Sequence, residues 1–218
     1  MSRRQIGILG YGAIGQSLYE AIDNGRAGQC EAVAILCRNI DNYQGNIPLR
    51  NGQPILTDDA DHFFDMTYDI VIEAAGQDAL RHYGVRVLEG GANFLVTSIG
   101  AFTDDDFFAE LIACADKYNS QLLLASGALP GVDWMTSAAL ADVDQVMITQ
   151  TKPVASWRGT PAEQLIDLNS LTEPTSFFEG TARQAASQFP KSSNITAMLA
   201  LSTIGLDETN VKIFADPT

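Results

Sequence analysis

The stretch Gln5-Ile6-Gly7-Ile8-Leu9-Gly10-Tyr11-Gly12-Ala13-Ile14-Gly15 is the part of the sequence that decides the fold class. Its first five residues predict a short apolar strand, and residues 17–23 predict a helix that stops at Asn24-Gly25. A GxGxxG motif between a strand and a helix is typical of the first βαβ unit of a dinucleotide-binding domain. The sequence therefore predicts that this segment binds a nicotinamide dinucleotide.

Each glycine of this motif has a separate task in such a site. Gly10 permits the tight turn, Gly12 lets the backbone approach a pyrophosphate, and Gly15 lets the helix pack closely on the strand. The helix begins beside the phosphates, where its free N–H groups bind anions. We therefore expect Ala13 and Ile14 to belong to the cofactor site as well.

Strands and helices alternate along the chain as far as Ala125. Further strands are predicted at 31–37, 68–75, 93–97 and 121–125, and helices at 79–89 and 104–118. Near-continuous apolar strands separated by helices indicate a doubly wound parallel sheet that is covered on both faces. We predict an α/β fold in which residues 1–125 form a Rossmann domain that binds NAD(P).

The alternation ends after Ala125. The rest of the chain predicts strands at 143–151, 175–179 and 211–215, and helices at 132–141, 181–189 and 194–204. This order indicates a smaller α+β domain with a mostly antiparallel or mixed sheet. We predict that residues 126–214 form this domain and that it binds the substrate of a two-domain oxidoreductase.

The residues after the second strand bear on the choice between NAD and NADP. An acidic residue there would bind the ribose 2′-OH of NAD, whereas this chain has Cys37-Arg38-Asn39. The guanidinium of Arg38 suits a 2′-phosphate. We predict use of NADP or of both cofactors, with NADP favoured by Arg38, and strict use of NAD stays open as the second possibility.

Further cofactor contacts are expected where the third and fourth strands end. Ala75, Gly76 and Gln77 follow the third strand, and Ser98 follows the fourth. The carboxyl ends of parallel strands face the ligand in sheets of this type. We therefore expect these four residues to line the nicotinamide side of the site.

A substrate with carboxylates needs cations, and the second domain has few. Its basic residues are Lys152, Arg158, Arg183, Lys191 and Lys212. Lys152 directly follows a predicted strand, where a side chain can face a cleft. We predict Lys152 as the first substrate-binding residue and Arg183 as the second, although a solvated lysine at a strand end is an equally simple interpretation.

The composition excludes several classes of partner. The chain has 27 acidic against 13 Lys and Arg residues, a net charge of −14, so neither a nucleic acid nor an anionic membrane is an expected partner. Its three cysteines form no CxxC pair and its two histidines have no ligand spacing, so no zinc site is predicted. Free thiols and the absence of a signal-peptide pattern favour a cytoplasmic protein.

A set of short motifs runs in order through essentially the whole chain. They are Gly10-Tyr11-Gly12-Ala13-Ile14-Gly15, Ile72-Glu73-Ala74-Ala75-Gly76, Thr97-Ser98-Ile99-Gly100-Ala101, Ser126-Gly127-Ala128, Thr151-Lys152-Pro153, Phe178-Glu179-Gly180-Thr181-Ala182-Arg183, Phe189-Pro190 and Ala215-Asp216-Pro217. The glycine motif is generic, and the later motifs are much more specific. With this set the chain resembles the L-aspartate dehydrogenase family.

The resemblance implies an N-terminal Rossmann domain followed by an α/β domain that binds substrate and forms a homodimer. It implies oxidative deamination of L-aspartate with NAD or NADP to iminosuccinate. That product hydrolyses to oxaloacetate and ammonia, or feeds quinolinate and NAD biosynthesis. The resemblance also places the cofactor-contacting alanine of the family on Ala128 and its cofactor-contacting asparagine on Asn194.

The chain departs from the family pattern in two places. The family usually has Asn-x-Asn after Phe-Pro-Lys, and this chain has Ser192-Ser193-Asn194. The catalytic histidine of the family comes a few residues after the Asp-Pro pair, which places it beyond Thr218, and neither His62 nor His82 matches that position. We therefore assign no catalytic residue and interpret residues 215–218 as the start of a return segment that is cut short.

Two other functions remain open from the sequence. One is a reductase similar to dihydrodipicolinate reductase that acts on another amino-acid-derived acid, and the motifs from Phe178 onward argue against it. The other is a catalytically silent NAD(P)-binding protein, which only the position of the histidine supports.

Overall fold

The computed structural model describes residues 3–43 and 54–218 of the chain, which divides into two units. The first unit ends at Ala125 and the second begins at Ser126. None of the helices in the described ranges is long and apolar enough to cross a membrane.

The first unit alternates strands with helices. Its elements are β1 (Arg4–Leu9), α1 (Ala13–Asp23), β2 (Cys30–Leu36), β3 (Ile55–Thr57), α2 (Ala60–Phe64), β4 (Ile70–Glu73), α3 (Gln77–Glu89), β5 (Asn93–Val96), α4 (Asp105–Tyr118) and β6 (Leu122–Leu124). Single turns of 3₁₀-helix lie at Ile40–Tyr43 and Ile99–Thr103.

The strands of the first unit form one parallel sheet in the order β3-β2-β1-β4-β5-β6. The order reverses between β1 and β4, and a dinucleotide binds at such a reversal in sheets of this kind, outside the carboxyl ends of the strands. The predicted doubly wound parallel sheet is therefore confirmed.

Burial explains why these segments read as nearly continuous apolar runs. Ile6, Ile8 and Leu9 of β1 are almost fully buried, and so are Phe94 and Val96 of β5. A strand at the centre of a sheet that is covered on both faces cannot alternate with polar residues, because neither of its faces meets water.

The second unit begins with a short helix and is built around three strands. Its elements are α5 (Val132–Ala138), β7 (Met147–Pro153), α6 (Ala162–Leu165), β8 (Thr175–Thr181), α7 (Ala182–Gln188), α8 (Asn194–Leu201) and β9 (Asn210–Asp216). Single turns of 3₁₀-helix lie at Val154–Trp157 and Pro190–Ser192.

The three strands pair in the order β7-β9-β8, with β7 parallel and β8 antiparallel to β9. The sheet is therefore mixed, which is one of the two forms that the sequence predicts. Strand β9 supplies Val211, Ile213 and Ala215 to a core that also contains Trp157 and Phe189. Helix α7 begins at a capping box, in which Thr181 and Gln184 each bind the other's backbone N–H.

Several element ends differ from the sequence-based expectations. Strand β7 begins at Met147 instead of at residue 143, because its pairing with β9 starts at the Met147–Asn210 register. Helices α5 and α8 end three residues earlier than predicted, at Ala138 and Leu201. Elements β3 and α2 were not predicted, since they contain only three and five residues.

Candidate functional site

A cavity of about 580 Å³ lies at the carboxyl ends of β1, β2 and β4 in the first unit. It is lined by Leu9, Gly10, Tyr11, Gly12, Leu36, Cys37, Arg38, Asn42, Tyr43, Asp58, Ala74, Ala75, Asp78, Ala79, His82 and Tyr83. The cavity therefore lies at the reversal of strand order, where the sequence predicts the cofactor.

The three motif glycines have the geometry that their predicted tasks require. Gly10 has a φ of 99°, and a Cβ there would lie 2.6 Å from the carbonyl oxygen of Ala74. A Cβ on Gly15 would collide with the carbonyl oxygen of Gly10, whereas a Cβ on Gly12 would meet no atom within 4 Å. Gly12 directly precedes α1, and the space beside its Cα is empty.

Ala13 and Ile14 are the first two residues of α1, and both are exposed. Helix α1 has no side-chain cap at its N-terminus, so N–H groups of its first turn are available to a ligand. The fixed dipole of the helix favours a negatively charged group at this position. The beginning of α1 fits a pyrophosphate.

Arg38 is exposed and lines the cavity just after β2. It forms no ion pair with a residue in the described part of the chain. Asp58 also lines the cavity and accepts a hydrogen bond from the backbone N–H of Ile40 at 3.2 Å. The cavity thus has both signs of charge near the end of β2.

Aromatic rings form part of the cavity wall, which the sequence analysis did not foresee. The rings of Tyr11 and Tyr43 meet edge to face, with 5.1 Å between their centroids. Burial, followed by the neighbouring Tyr19 and Glu20, raises the pKa of Tyr11. A tyrosine inside a glycine motif is the only signal in the sequence that could have indicated this wall.

Glu73 is a further residue at this end of the sheet that has no role in the sequence-based prediction. It ends β4, and its side chain is fully buried. One carboxylate oxygen, Oε1, accepts from the N–H groups of Ala75 and Gly76 at 2.8 Å each and from the hydroxyl of Ser98 at 2.9 Å. The other, Oε2, accepts from the N–H groups of Thr97 at 3.1 Å and Ser98 at 2.9 Å.

Three of the four residues predicted for the nicotinamide side, Ala75, Gly76 and Ser98, donate hydrogen bonds to Glu73. Ala75 is exposed and lines the cavity, and Gly76 precedes α3 with a φ of 107°. Gln77 begins α3, and Ser98 is buried against Glu73. The side chain of Glu73 thus joins the loops that follow β4 and β5, and the contact of the four residues with the nicotinamide stays a prediction.

A second cavity, of about 190 Å³, lies within the second unit where β7 ends. Lys152, Ser156, Trp157, Thr160 and Ser192 are its polar lining residues, and no acidic residue from the described part of the chain lines it. The ammonium of Lys152 donates to the hydroxyl of Ser192 at 2.6 Å and lies 5.1 Å from the centre of the Trp157 ring. Burial lowers the pKa of Lys152.

Gln150 binds residues next to the same cavity wall. It is buried on the face of β7 that also carries Lys152, and its amide nitrogen donates to the hydroxyl of Thr196 at 2.5 Å and to the carbonyl of Ser192 at 3.3 Å. Because Ser192 then accepts the hydrogen bond from Lys152, these contacts fix the direction in which the ammonium points.

The structure does not bring the other predicted second-domain residues to this cavity. Arg183 forms a bidentate ion pair with Asp207, through Nε at 2.7 Å and a terminal nitrogen at 2.9 Å, and does not line the cavity. Ala128 lies in an exposed turn, and Asn194 begins α8. Their roles in substrate or cofactor binding stay predictions.

Both histidines lie in the first unit. His62 is in the short helix α2, and His82 is in α3, where it lines the large cavity and contacts the ring of Tyr83. Among residues 3–43 and 54–218, no group of three or more His, Cys, Asp or Glu side chains could hold a metal ion.

Comparison with protein families divides the chain in the same way as the fold. Residues 10–125 match the NAD-binding domain family of homoserine dehydrogenase. Residues 133–218 match the C-terminal domain family of aspartate dehydrogenase. The first unit is thus an NAD-binding domain, which confirms the prediction of a nicotinamide cofactor.

Curated relatives match over nearly the whole chain. An L-aspartate dehydrogenase of Cupriavidus necator is 37% identical over 97% of this chain and 79% of its own length. One from Ralstonia pickettii is 38% identical over 98% of this chain and 79% of its own length. Both units of the chain are therefore covered by each relative.

Solved structures agree with this pattern. Aspartate dehydrogenase from Thermotoga maritima has a TM-score of 0.72 at 25% identity, covering 99% of this chain and 80% of that one. The WlbA dehydrogenase from Bordetella pertussis has a TM-score of 0.56 at 13% identity, covering 99% of this chain and 71% of that one, and shows a likeness in fold alone.

Proposed function

The chain belongs to the L-aspartate dehydrogenase family, and on that basis we propose that it oxidises L-aspartate to iminosuccinate, which hydrolyses to oxaloacetate and ammonia. The observation that carries this proposal is the identity of 37% with an L-aspartate dehydrogenase across 97% of the chain. A match confined to the first unit would support cofactor binding alone, because Rossmann domains serve many reactions.

The residues of the first unit fit a nicotinamide dinucleotide. Gly12 leaves open space at the beginning of α1, and a cavity of about 580 Å³ adjoins it. The pyrophosphate would be held by the N–H groups of Ala13 and its neighbours in the first turn of α1. When bound, the nicotinamide ring supplies the acceptor for the hydride that leaves the substrate.

Arg38 supports the finer proposal that the enzyme accepts both cofactors and favours NADP. Its guanidinium lies in the cavity wall without an ion-pair partner among the described residues, and is therefore available to a 2′-phosphate. The carboxylate of Asp58 in the same wall repels the negative charge of a 2′-phosphate. This supports use of both cofactors rather than strict use of NADP.

Lys152 supports the proposal that the second cavity takes a carboxylate of the substrate. An ammonium has three donors, and the hydroxyl of Ser192 engages one of them. Among residues 3–43 and 54–218, no acidic side chain lines the cavity to compete for the remaining two. In a chain of net charge −14, a half-buried cation whose described cavity neighbours include no acidic residue is a specific feature that suits an anionic ligand.

The reaction also requires a group that accepts a proton, because a hydride can leave Cα only when the substrate amine is neutral. Histidine suits this role, since its pKa lies near neutrality. In the family, a histidine after the Asp-Pro pair has this role, and we assign it to neither His62 nor His82.

The proposed activity is tested by mixing the protein with NAD⁺ or NADP⁺ and L-aspartate and following the reduced cofactor by absorbance. L-Alanine, which lacks the side-chain carboxylate, is the matched substrate control. Reduction that depends on L-aspartate and releases ammonia is the expected result. Tight cofactor binding without turnover of L-aspartate would instead favour the silent NAD(P)-binding protein.

We further propose that the protein works as a homodimer, because the family resemblance implies one. Light scattering on the purified chain tests this directly. A cytoplasmic location is also proposed: Cys30, Cys37 and Cys114 are all free thiols, as is usual in a reducing compartment.

A further inference from the structure

Glu73 presents an unusual arrangement in the first unit. Its carboxylate is fully buried, and the contacts described above give it four backbone N–H donors and one hydroxyl donor. No lysine or arginine of the described residues pairs with it. The donors come from the two loops that follow β4 and β5, so this single side chain joins both loops.

Packing alone does not account for a carboxylate at this position. A buried charge is costly unless hydrogen bonds replace its water, and an apolar side chain in the same space would leave the N–H groups that face it without an acceptor. A carboxylate differs from every neutral side chain in accepting hydrogen bonds at both ends and donating none. What it adds is therefore the orientation of the peptide groups that point at it.

That orientation determines where the carbonyl groups of these loops point. In a trans peptide, the carbonyl of one residue points opposite to the N–H of the next. Because the N–H groups of Ala75, Gly76, Thr97 and Ser98 point inward to Glu73, the carbonyls of the preceding residues point away from it.

Two of these carbonyls are already engaged or crowded. That of Val96 accepts from the N–H of Ala125 at 2.9 Å, and that of Ala74 faces Gly10. No backbone N–H of the described residues outside the helix and strand ladders donates to the carbonyls of Ala75 and Thr97. They lie at the carboxyl ends of β4 and β5, in the half of the sheet beyond the reversal of strand order, which is the half that holds the second mononucleotide.

We propose that Glu73 is a positioning residue that turns the carbonyls of Ala75 and Thr97 toward the carboxamide of the nicotinamide. The NH₂ group of the carboxamide then donates a hydrogen bond to each carbonyl. The inference rests on the proposed cofactor site. Backbone carbonyls would then recognise the nicotinamide, and the buried side chain of Glu73 would fix the direction in which they point. Glu73 itself touches neither the cofactor nor the substrate.

The test compares two ligands that share every group except the nicotinamide. Dissociation constants of NAD⁺ and of ADP-ribose are measured by calorimetry for the full chain and for Glu73→Gln. The amide of glutamine brings an NH₂ group against backbone N–H donors, so the loops must shift. We expect the affinity for NAD⁺ to fall by about tenfold relative to that for ADP-ribose, a change of roughly 1.4 kcal/mol.

Two further variants separate positioning from stability. Tyr68→Phe removes the buried hydrogen bond from Tyr68 to the carbonyl of Phe63 in the same unit, and should lower the melting temperature without changing the ratio of the two affinities. Ser98→Ala removes one donor from Glu73 and leaves the four backbone donors, so the ratio should change in the same direction by about two- to threefold. Ser98→Ala also serves if Glu73→Gln does not fold.

The outcomes distinguish this inference from the proposed function. Equal losses of affinity for both ligands in Glu73→Gln, or an unchanged ratio in Ser98→Ala, would overturn the positioning role while leaving aspartate oxidation intact. Wild-type protein that binds NAD⁺ no better than ADP-ribose, yet oxidises L-aspartate, would overturn it as well. A wild-type chain that binds neither ligand would overturn both proposals.

Discussion

The part of the first unit's cavity beside the glycine motif is formed by Gly10, Gly12 and Ala75, which offer mainly backbone, whereas the side chains of Lys152 and Trp157 wall the cavity of the second unit. A wall made of backbone binds through N–H and carbonyl groups that every residue has, so a substitution acts on it through the side-chain atoms that it adds. A site made of side chains depends on the identity of one or two residues. The two cavities should therefore respond to substitution in different ways.

The largest effect is expected from Lys152→Met, which removes the cation of the second cavity and keeps the length of the side chain. A hydrogen bond between charged groups contributes about 1.5–3 kcal/mol, so kcat/KM for L-aspartate should fall by roughly 10- to 100-fold. The dissociation constant of the cofactor should not change. Lys117→Met, at an exposed lysine of α4, is the control. Equal activity in the two variants would remove Lys152 from the substrate site.

Two variants within the glycine motif test the first cavity, one at Gly12 and one at Gly15. In Gly12→Val the new atoms enter open space at the beginning of α1, so cofactor affinity should fall while the melting temperature stays near that of the wild type. In Gly15→Ala the Cβ collides with the carbonyl of Gly10, and overpacking of this kind costs about 1–3 kcal/mol of stability. Calorimetry and thermal unfolding measure both quantities. Loss of stability in both variants alike would contradict the division of tasks.

A smaller effect is expected from Arg38→Ala, because Arg38 is exposed and solvent screens its charge. The ratio of kcat/KM for NADP⁺ to that for NAD⁺ should fall by about five- to tenfold, mainly through weaker binding of NADP⁺. Arg26→Ala, at an exposed arginine outside the cavity, should leave the ratio unchanged. An unchanged ratio in Arg38→Ala too would assign the choice of cofactor to other residues.

The smallest effect concerns pH. Burial lowers the pKa of Lys152, so its charge is present at low pH and is lost as the pH rises through that lowered value. Inhibition by succinate, a dicarboxylate without an amine, should therefore weaken as the pH rises. The weakening should begin at a pH below the usual pKa of lysine. Arginine stays charged across this range, so Lys152→Arg should move the weakening to higher pH. Identical profiles would show that another group titrates.

The sequence indicated the backbone site far better than the side-chain site. The tasks of Gly10, Gly12 and Gly15 follow from their positions between a strand and a helix, so they could be predicted from neighbouring residues alone. The contact between Lys152 and Ser192 spans 40 residues and depends on how β7 packs against the turn at Pro190–Ser192. No local pattern contains that information.

Glu73 shows the same limit within the first unit. Its own segment reads as the end of a buried strand, and a charged residue there is a visible anomaly in the sequence. Its partners Thr97 and Ser98 lie more than 20 residues further along the chain, and only the pairing of β4 with β5 brings them near. The wall formed by Tyr11 and Tyr43 was missed for the same reason.

Trp157 gives the second cavity a spectroscopic signal of its own. The chain has two tryptophans, and they differ sharply in exposure: Trp134 is 72% exposed, and Trp157 is 1% exposed beneath the ammonium of Lys152. In a Trp134→Phe protein, all indole emission would come from the floor of the proposed carboxylate site. A dicarboxylate that draws the ammonium away from the ring would change that emission, so ligand binding there could be followed by fluorescence without a label or a coupled reaction.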